Sequence, residues 1–203
     1  MKGRVEVPPR ERILQNGAEL FAQKGFSAVG VREVTDKAGV NVSMTSYYYG
    51  GKSGLLKAIL TEFFMKSGDI IKEVSGLNIP ADQKIRELVK RLMEMMLANQ
   101  NICRVSIFEM PFDIPEVSEF KEQLFKENIK MILDIFKEKY NIRDESVQLI
   151  VGPAFYNLLF SHCFFSNILH QDIDSKYYKK FADTISDLFL NGIAGFNNKK
   201  KIA

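Results

Sequence analysis

The chain is poor in the residues that staple, kink or ligate. Its 203 residues hold two Cys, six Pro, two His and no Trp. Two thiols, Cys103 and Cys163, make neither a disulfide framework nor a metal cluster. Six Pro and 13 Gly supply too few turns for many short strands, so long helices are expected. No apolar run is long enough to span a membrane, and the opening stretch MKGRVEVPPRERIL has no apolar signal core. Together these absences point to a protein of the reducing cytoplasm. The two histidines, His162 and His170, have no carboxylate or cysteine set converging on them by spacing, so neither a metal nor a cofactor is expected. No acid, base and nucleophile can be assembled by spacing either, and the chain does not read as an enzyme.

What is present is apolar and charged matter in globular proportion: 46% hydrophobic and 26% charged residues, including 16 Phe. The net charge of +3 is too small to imply a polyanionic partner, but its distribution is uneven. Residues 1–60 hold nine Lys or Arg against five Asp or Glu, a net of +4; the remainder holds 19 against 20, a net of −1.

Apolar residues recur at helical spacing almost throughout. RERILQNGAELFAQKGF reads as a helix through Ile13, Leu14, Ala18 and Phe21, stopped by Gly25 as a left-handed cap would stop it. A short second helix fits Val31–Ala38 and ends at Gly39. A third fits Val42–Tyr48, capped by Asn41 or Ser43. A fourth runs from Lys52 to about Val74, and further helices fit Asp82–Asn99, the NICRVSIFEM stretch, Glu116–Tyr140, Glu145–Leu169 and Tyr177–Ile193. Gly152-Pro153 should bend the eighth or delay its start. No period-two strand pattern appears. The expectation is an all-α fold of about nine helices: a flexible arm over 1–9, a helix-turn-helix domain over 10–51, a helical body over 52–196 and a basic tail over 197–203.

The stretch SYYYGGKSG, Ser46–Gly54, carries a Gly-Lys-Ser triplet that resembles a nucleotide-binding loop. That loop requires G-x-x-x-x-G-K-[ST] leaving a strand. Ser46 stands where its first glycine belongs, and no strand precedes it. The two short helices offer a better account. Joined at Ala38-Gly39-Val40 they make a helix-turn-helix, whose second helix would show Val42, Ser43, Thr45 and Ser46 to base edges. Arg32 on the preceding helix is a further DNA-binding candidate. Tyr47, Tyr48 and Lys52 would meet phosphates, helped by the free N–H groups where the fourth helix starts.

With A-x-L-F-x-x-x-G-[FY] at Ala18–Phe26, V-x-x-[VI]-x-x-x-A-G-V at Val31–Val40, and an aromatic cluster, glycine and lysine before a helix, Ile13–Leu56 resembles the DNA-binding domain of the tetracycline-repressor (TetR) family. The resemblance implies a homodimeric transcription regulator, usually a repressor, with a ligand-binding helical body and a four-helix dimer interface from the last two helices of each subunit. It departs from the family at Gly30, where Ser or Thr is usual, and at Ser43, where glycine is common; Ser43 would then read a base here. An apolar ligand site in the Phe- and Met-rich body follows from the same resemblance, with Met96, Phe108, Phe112, Phe125, Tyr156 and Phe160 as candidate lining. Arg104, Glu109 and Asn157 are candidates for orienting the ligand alongside Tyr156. Leu158, Phe165, Phe181, Ile185 and Phe189 are candidate dimer contacts. The partners expected are a palindromic double-stranded operator, a second copy and a small effector, with helix four as the lever between ligand and DNA. The alternative is an architectural, nucleoid-associated DNA-binding protein with no ligand.

Overall fold

A computed structural model describes residues 7–109, 114–138, 140, 142, 144–169 and 175–199; the side chains of 164–169, 175 and 193–199 are not described. Nine helices and no strand occur among the described residues: α1 (Pro9–Lys24), α2 (Val31–Ala38), α3 (Ser43–Tyr49), α4 (Lys52–Ser75), α5 (Ala81–Ala98), α6 (Gln100–Phe108), α7 (Pro115–Lys137), α8 (Glu145–Leu169) and α9 (Ser175–Lys199). The fold is all-α, as the periodicity implied. The expected arm over 1–9 and the tail over 197–203 lie mostly outside the described residues.

Contacts divide the chain into two compact units. One unit is Met1–Phe64 with Asn99–Leu124; the other is Met65–Ala98 with Phe125–Ala203. Helices α4 and α7 therefore each contribute to both.

In the first unit α1 packs on α2, α3 and α6. Pro9 starts α1 without losing a helical hydrogen bond, since a first-turn N–H has no partner inside the helix. Ile13, Ala18 and Phe21 face inward with Phe26, Val34, Ala38, Leu55 and Leu56. Full burial of a side chain such as Phe21 is worth about 2–3 kcal/mol, and its ring meets Phe26 edge-on at 5.2 Å. Gly17 lets α1 approach α4: a Cβ there would lie 2.8 Å from Leu55 Cδ2. Gly25 does carry a positive φ of 84°, but its ψ of 149° lies outside the left-handed helical region. It ends α1 by turning the chain away rather than by a left-handed cap.

The second unit is built around three rings. Phe136 of α7 meets Phe155 of α8 at 5.2 Å and Phe189 of α9 at 5.0 Å, and Phe155 meets Phe189 at 4.8 Å. Helix α5 packs along α9. Near one end of α5, buried Lys84 donates to the Ser75 carbonyl at 2.8 Å and to the Glu138 carboxylate at 2.9 Å, which removes the cost of an unpaired buried charge. Gly152 has no Cβ because there is no room for one, which would lie 2.6 Å from Ile129 Cγ2 of α7. Pro153 lies inside α8, so of the two outcomes expected a delayed start does not occur. The carbonyl it leaves without a helical donor is that of Leu149, a residue 78% exposed, where water can take the hydrogen bond.

Candidate nucleic-acid interface

Helices α2 and α3 are held at a tight corner. Gly39 adopts the left-handed conformation, φ 63° and ψ 44°. Its N–H donates to Asp36 O at 3.1 Å, and the Val40 N–H donates back to Thr35 O at 3.0 Å. This closes the end of α2 within one turn. Across the gap Asn41 begins α3: its Oδ1 accepts from the Ser43 N–H at 2.9 Å and from Ser43 Oγ at 2.8 Å. The cap is therefore Asn41, one of the two residues the sequence offered, and α3 runs one residue later than expected. Two ion pairs, Lys37–Glu19 and Lys24–Glu33, tie α2 to α1. Each is surface-exposed and worth at most about 1 kcal/mol.

This frame exposes a short face of α3. Val42 is 44% and Tyr47 82% exposed, large values for an apolar and an aromatic side chain in a folded domain. Ser43 and Ser46 are exposed on the same helix, and Arg32 is exposed on α2. Thr45 is not among them. It is fully buried, so no duplex can reach it, and the expectation that it reads a base is corrected. The pattern misled because a seven-residue helix must turn one side to the core, and Thr45 lies on that side.

The three tyrosines divide their roles. Tyr47 and Tyr48 meet edge-on at 4.9 Å, with Tyr48 half-buried. Tyr49 turns inward, donates its hydroxyl to the Arg10 carbonyl at 2.7 Å and lies under the Arg10 guanidinium at 5.6 Å. Burial pushes its phenol pKa up, against the opposing pull of Arg10. It fastens the end of α3 to the start of α1, a task nothing in its neighbours' spacing announced.

The Gly-Gly-Lys-Ser-Gly segment is the joint between α3 and α4. Gly50 closes α3 in the left-handed conformation, its N–H donating to Ser46 O at 2.9 Å. Gly51 follows with φ of 113°. Gly54 matters as much, and sequence reasoning passed over it. A Cβ at 54 would overlap the Tyr49 carbonyl oxygen, so only glycine lets the first turn of α4 rest against the last turn of α3. A glycine inside a helix's first turn, where propensity disfavours it, is the signal that was available. Lys52 is half-buried, with its Nζ 3.3 Å from the Ser27 carbonyl and 4.3 Å from the centre of the Phe26 ring. Burial lowers its pKa, and Glu109 opposes the shift.

Residues 13–59 match the family described as bacterial regulatory proteins, tetR family. Over that segment the chain is similar to TetR-family regulators. It is 31% identical over 104 residues to the probable HTH-type transcriptional regulator YttP of Bacillus subtilis, a match spanning 51% of this chain and half of that relative. It is 22% identical over 190 residues to the uncharacterized HTH-type regulator YvkB of the same organism, covering 92% of this chain and 98% of that one. Among solved structures, the fatty acid degradation regulator FadR from Bacillus halodurans superposes with a TM-score of 0.75 at 14% identity, over 92% of this chain and 97% of that one. At that identity the likeness is one of fold: an amino-terminal helix-turn-helix and a helical carboxy-terminal domain, as in TetR-family proteins generally.

The candidate ligand residues separate. Phe125, Tyr156 and Phe160 come together in the second unit, with Tyr156 5.0 Å from the Phe125 ring and 5.1 Å from the Phe160 ring. Met96 is buried on α5 in the same unit. Phe108 belongs to the first unit and is 40% exposed. Phe112 lies outside the described residues. Arg104 and Asn157 face solvent, and of the residues proposed to orient a ligand only Tyr156 is buried.

Among the candidate dimer residues, Ile185 and Phe189 are buried within a single copy. Phe189 fills the three-ring core just described, which leaves it no surface to offer a partner; both assignments are corrected. Leu158 and Phe181 are half-buried, and the Phe165 side chain is not described. Among the described side chains of α8 and α9, the strongly exposed apolar ones are instead Leu149, Ile150 and Leu188. His162 is a core histidine. It packs between Tyr178 and Phe181 at 5.1 and 5.3 Å, its Nδ1 2.8 Å from the Leu159 carbonyl. His170 lies outside the described residues.

Proposed function

We propose that this chain is a sequence-specific DNA-binding regulator that works as a homodimer on a palindromic operator, most simply as a repressor released by a small, largely apolar effector. The observation that carries the reading is the exposed face of α3: Val42, Ser43, Ser46 and Tyr47 stand out from a corner rigidly closed at Gly39, Asn41 and Gly50. Val42 offers an apolar surface for a thymine methyl, and the two serines offer hydroxyls that donate or accept at a base edge. Arg32, Tyr47 and Tyr48 serve the flanking phosphates, and Lys52 neutralises charge beside the first turn of α4.

One such helix contacts too few base pairs for useful selectivity. A second copy about one DNA turn away doubles the contact and imposes a palindrome. The exposed Leu149, Ile150 and Leu188 on α8 and α9 are the apolar surface that favours pairing of the carboxy-terminal helices. Effector binding in the second unit would shift the population toward dimers whose reading helices no longer match the groove spacing.

The test is footprinting of the purified protein on genomic DNA, followed by mobility shift on the recovered sites over a range of salt. Palindromic sites bound with a steep salt dependence support the reading. Arg32→Ala should reduce the slope of log K against log salt by about 1. Footprints with no sequence preference would replace it with an architectural role.

A further inference from the structure

We propose that Glu109 is a built-in competitor for the DNA phosphate: its carboxylate balances Lys52 in the free protein and is displaced when the backbone docks at the start of α4. The inference rests on the DNA-binding reading above and adds to it a residue that opposes binding.

Glu109 is the residue that follows α6, in the same compact unit as the helix-turn-helix. Its Oε1 lies 3.7 Å from the place a Cβ on Gly25 would take. The next two residues along the chain are the walls of the Lys52 site. The ammonium stands 4.3 Å from the centre of the Phe26 ring and donates to the Ser27 carbonyl at 3.3 Å. A ring face and a carbonyl attract a cation but carry no net charge. The carboxylate beside Gly25 does carry one, and it acts on Lys52 against the effect of burial.

The same carboxylate has a second cation to turn to. Buried Lys121 donates to the main-chain carbonyl of Glu109 at 2.9 Å, and its charge also feels the carboxylate. When Lys52 turns to a phosphate, Lys121 still balances Glu109, so the exchange strands no unpaired charge in a half-buried place. Lys52 is itself half-buried at the first position of α4, and its flexible stem lets the ammonium move between the two anions. Until that exchange is made, carboxylate and phosphate repel. The protein therefore binds DNA more weakly than the phosphate contact alone would allow.

The experiment is a double-mutant cycle on DNA binding. Wild type, Glu109→Gln, Lys52→Met and the double variant are titrated with the operator recovered by footprinting and with a random-sequence duplex at low salt. Glutamine keeps the shape of Glu109 and leaves its main-chain carbonyl to Lys121; circular dichroism checks each fold, and Lys52→Gln replaces Lys52→Met if the latter does not fold. Glu109→Gln should bind both duplexes about three- to tenfold more tightly, the worth of a unit charge several ångströms away at intermediate screening. In the Lys52→Met background the same change should alter affinity less than about twofold. In Lys52→Arg, which keeps the charge, the gain should persist. No gain, weaker binding, or an equal gain with and without the Lys52 charge each overturns the proposal. A wild type that binds DNA while Glu109→Gln gains nothing sinks this proposal alone; a wild type and a Glu109→Gln that bind neither duplex sink the regulator reading with it.

Discussion

Lys121 should give the first unit an alkaline stability rise that a single substitution removes. The residue sits on α7, 8% exposed, and donates through Nζ to the Glu109 carbonyl at 2.9 Å and to Ile107 O at 3.4 Å. It thereby holds the end of α6 by charge-assisted hydrogen bonds to backbone. Burial pushes its pKa down from 10.5 to about 8, with the Glu109 carboxylate pulling partly back. Below the folded value both folded and unfolded chains carry the charge, and folding bears the full cost of burying it. Between the two values the unfolded chain keeps the proton and the folded chain does not, so stability rises with pH. At 1.36 kcal/mol per unit, integration from about pH 7.5 to about pH 10 gives a rise of about 2 kcal/mol. Lys121→Met keeps the length and loses the titration. Its missing carbonyl contacts shift its stability by a constant, and the tyrosines and other lysines titrate alike in both proteins. Urea denaturation followed by circular dichroism at the two pH values, fitted to the transition of the first unit, should therefore show the wild type gaining about 2 kcal/mol on the variant. Parallel changes in the two proteins would refute the assignment of the low pKa to Lys121.

Two further substitutions test the reading corner. Gly54→Ala should destabilise the first unit by about 1–3 kcal/mol or more in urea and abolish operator binding, since the new methyl collides with backbone rather than with a side chain that can rotate away; an alanine variant of normal stability would show that α3 and α4 do not meet there. Thr45→Val should leave operator affinity unchanged and stability unchanged or up by about 1 kcal/mol, because the hydroxyl it removes is buried and has no partner. Weaker DNA binding by a normally folded Thr45→Val protein would return Thr45 to the base-reading set.

Local pattern was enough for the helices. Every one of the nine was legible from apolar spacing, and α2 and the start of α4 and α8 coincide with the residues expected. The corner between α2 and α3 was equally legible, because Ala38-Gly39-Val40 and Asn41 act on atoms a few residues away in the chain. These are short-range effects: a left-handed glycine or an Asx cap is dictated by its immediate neighbours.

What needed the tertiary structure was every question of which side faces what. Thr45 and Ser46 are both small hydroxyl residues on α3; one is in the core and the other in solvent. Phe189 looked like interface because α9 is apolar, but it is claimed by Phe136 and Phe155. Lys121 and Asn128 are polar by composition and buried by position, and no spacing rule separates them from the exposed Lys126 and Glu127 beside them. Even the division into units ignored chain order: α6 and the first half of α7 group with the helix-turn-helix. The reason is that burial depends on neighbours distant in sequence. Helical periodicity specifies a face within each element, but only packing decides whether that face meets a partner, a core or water.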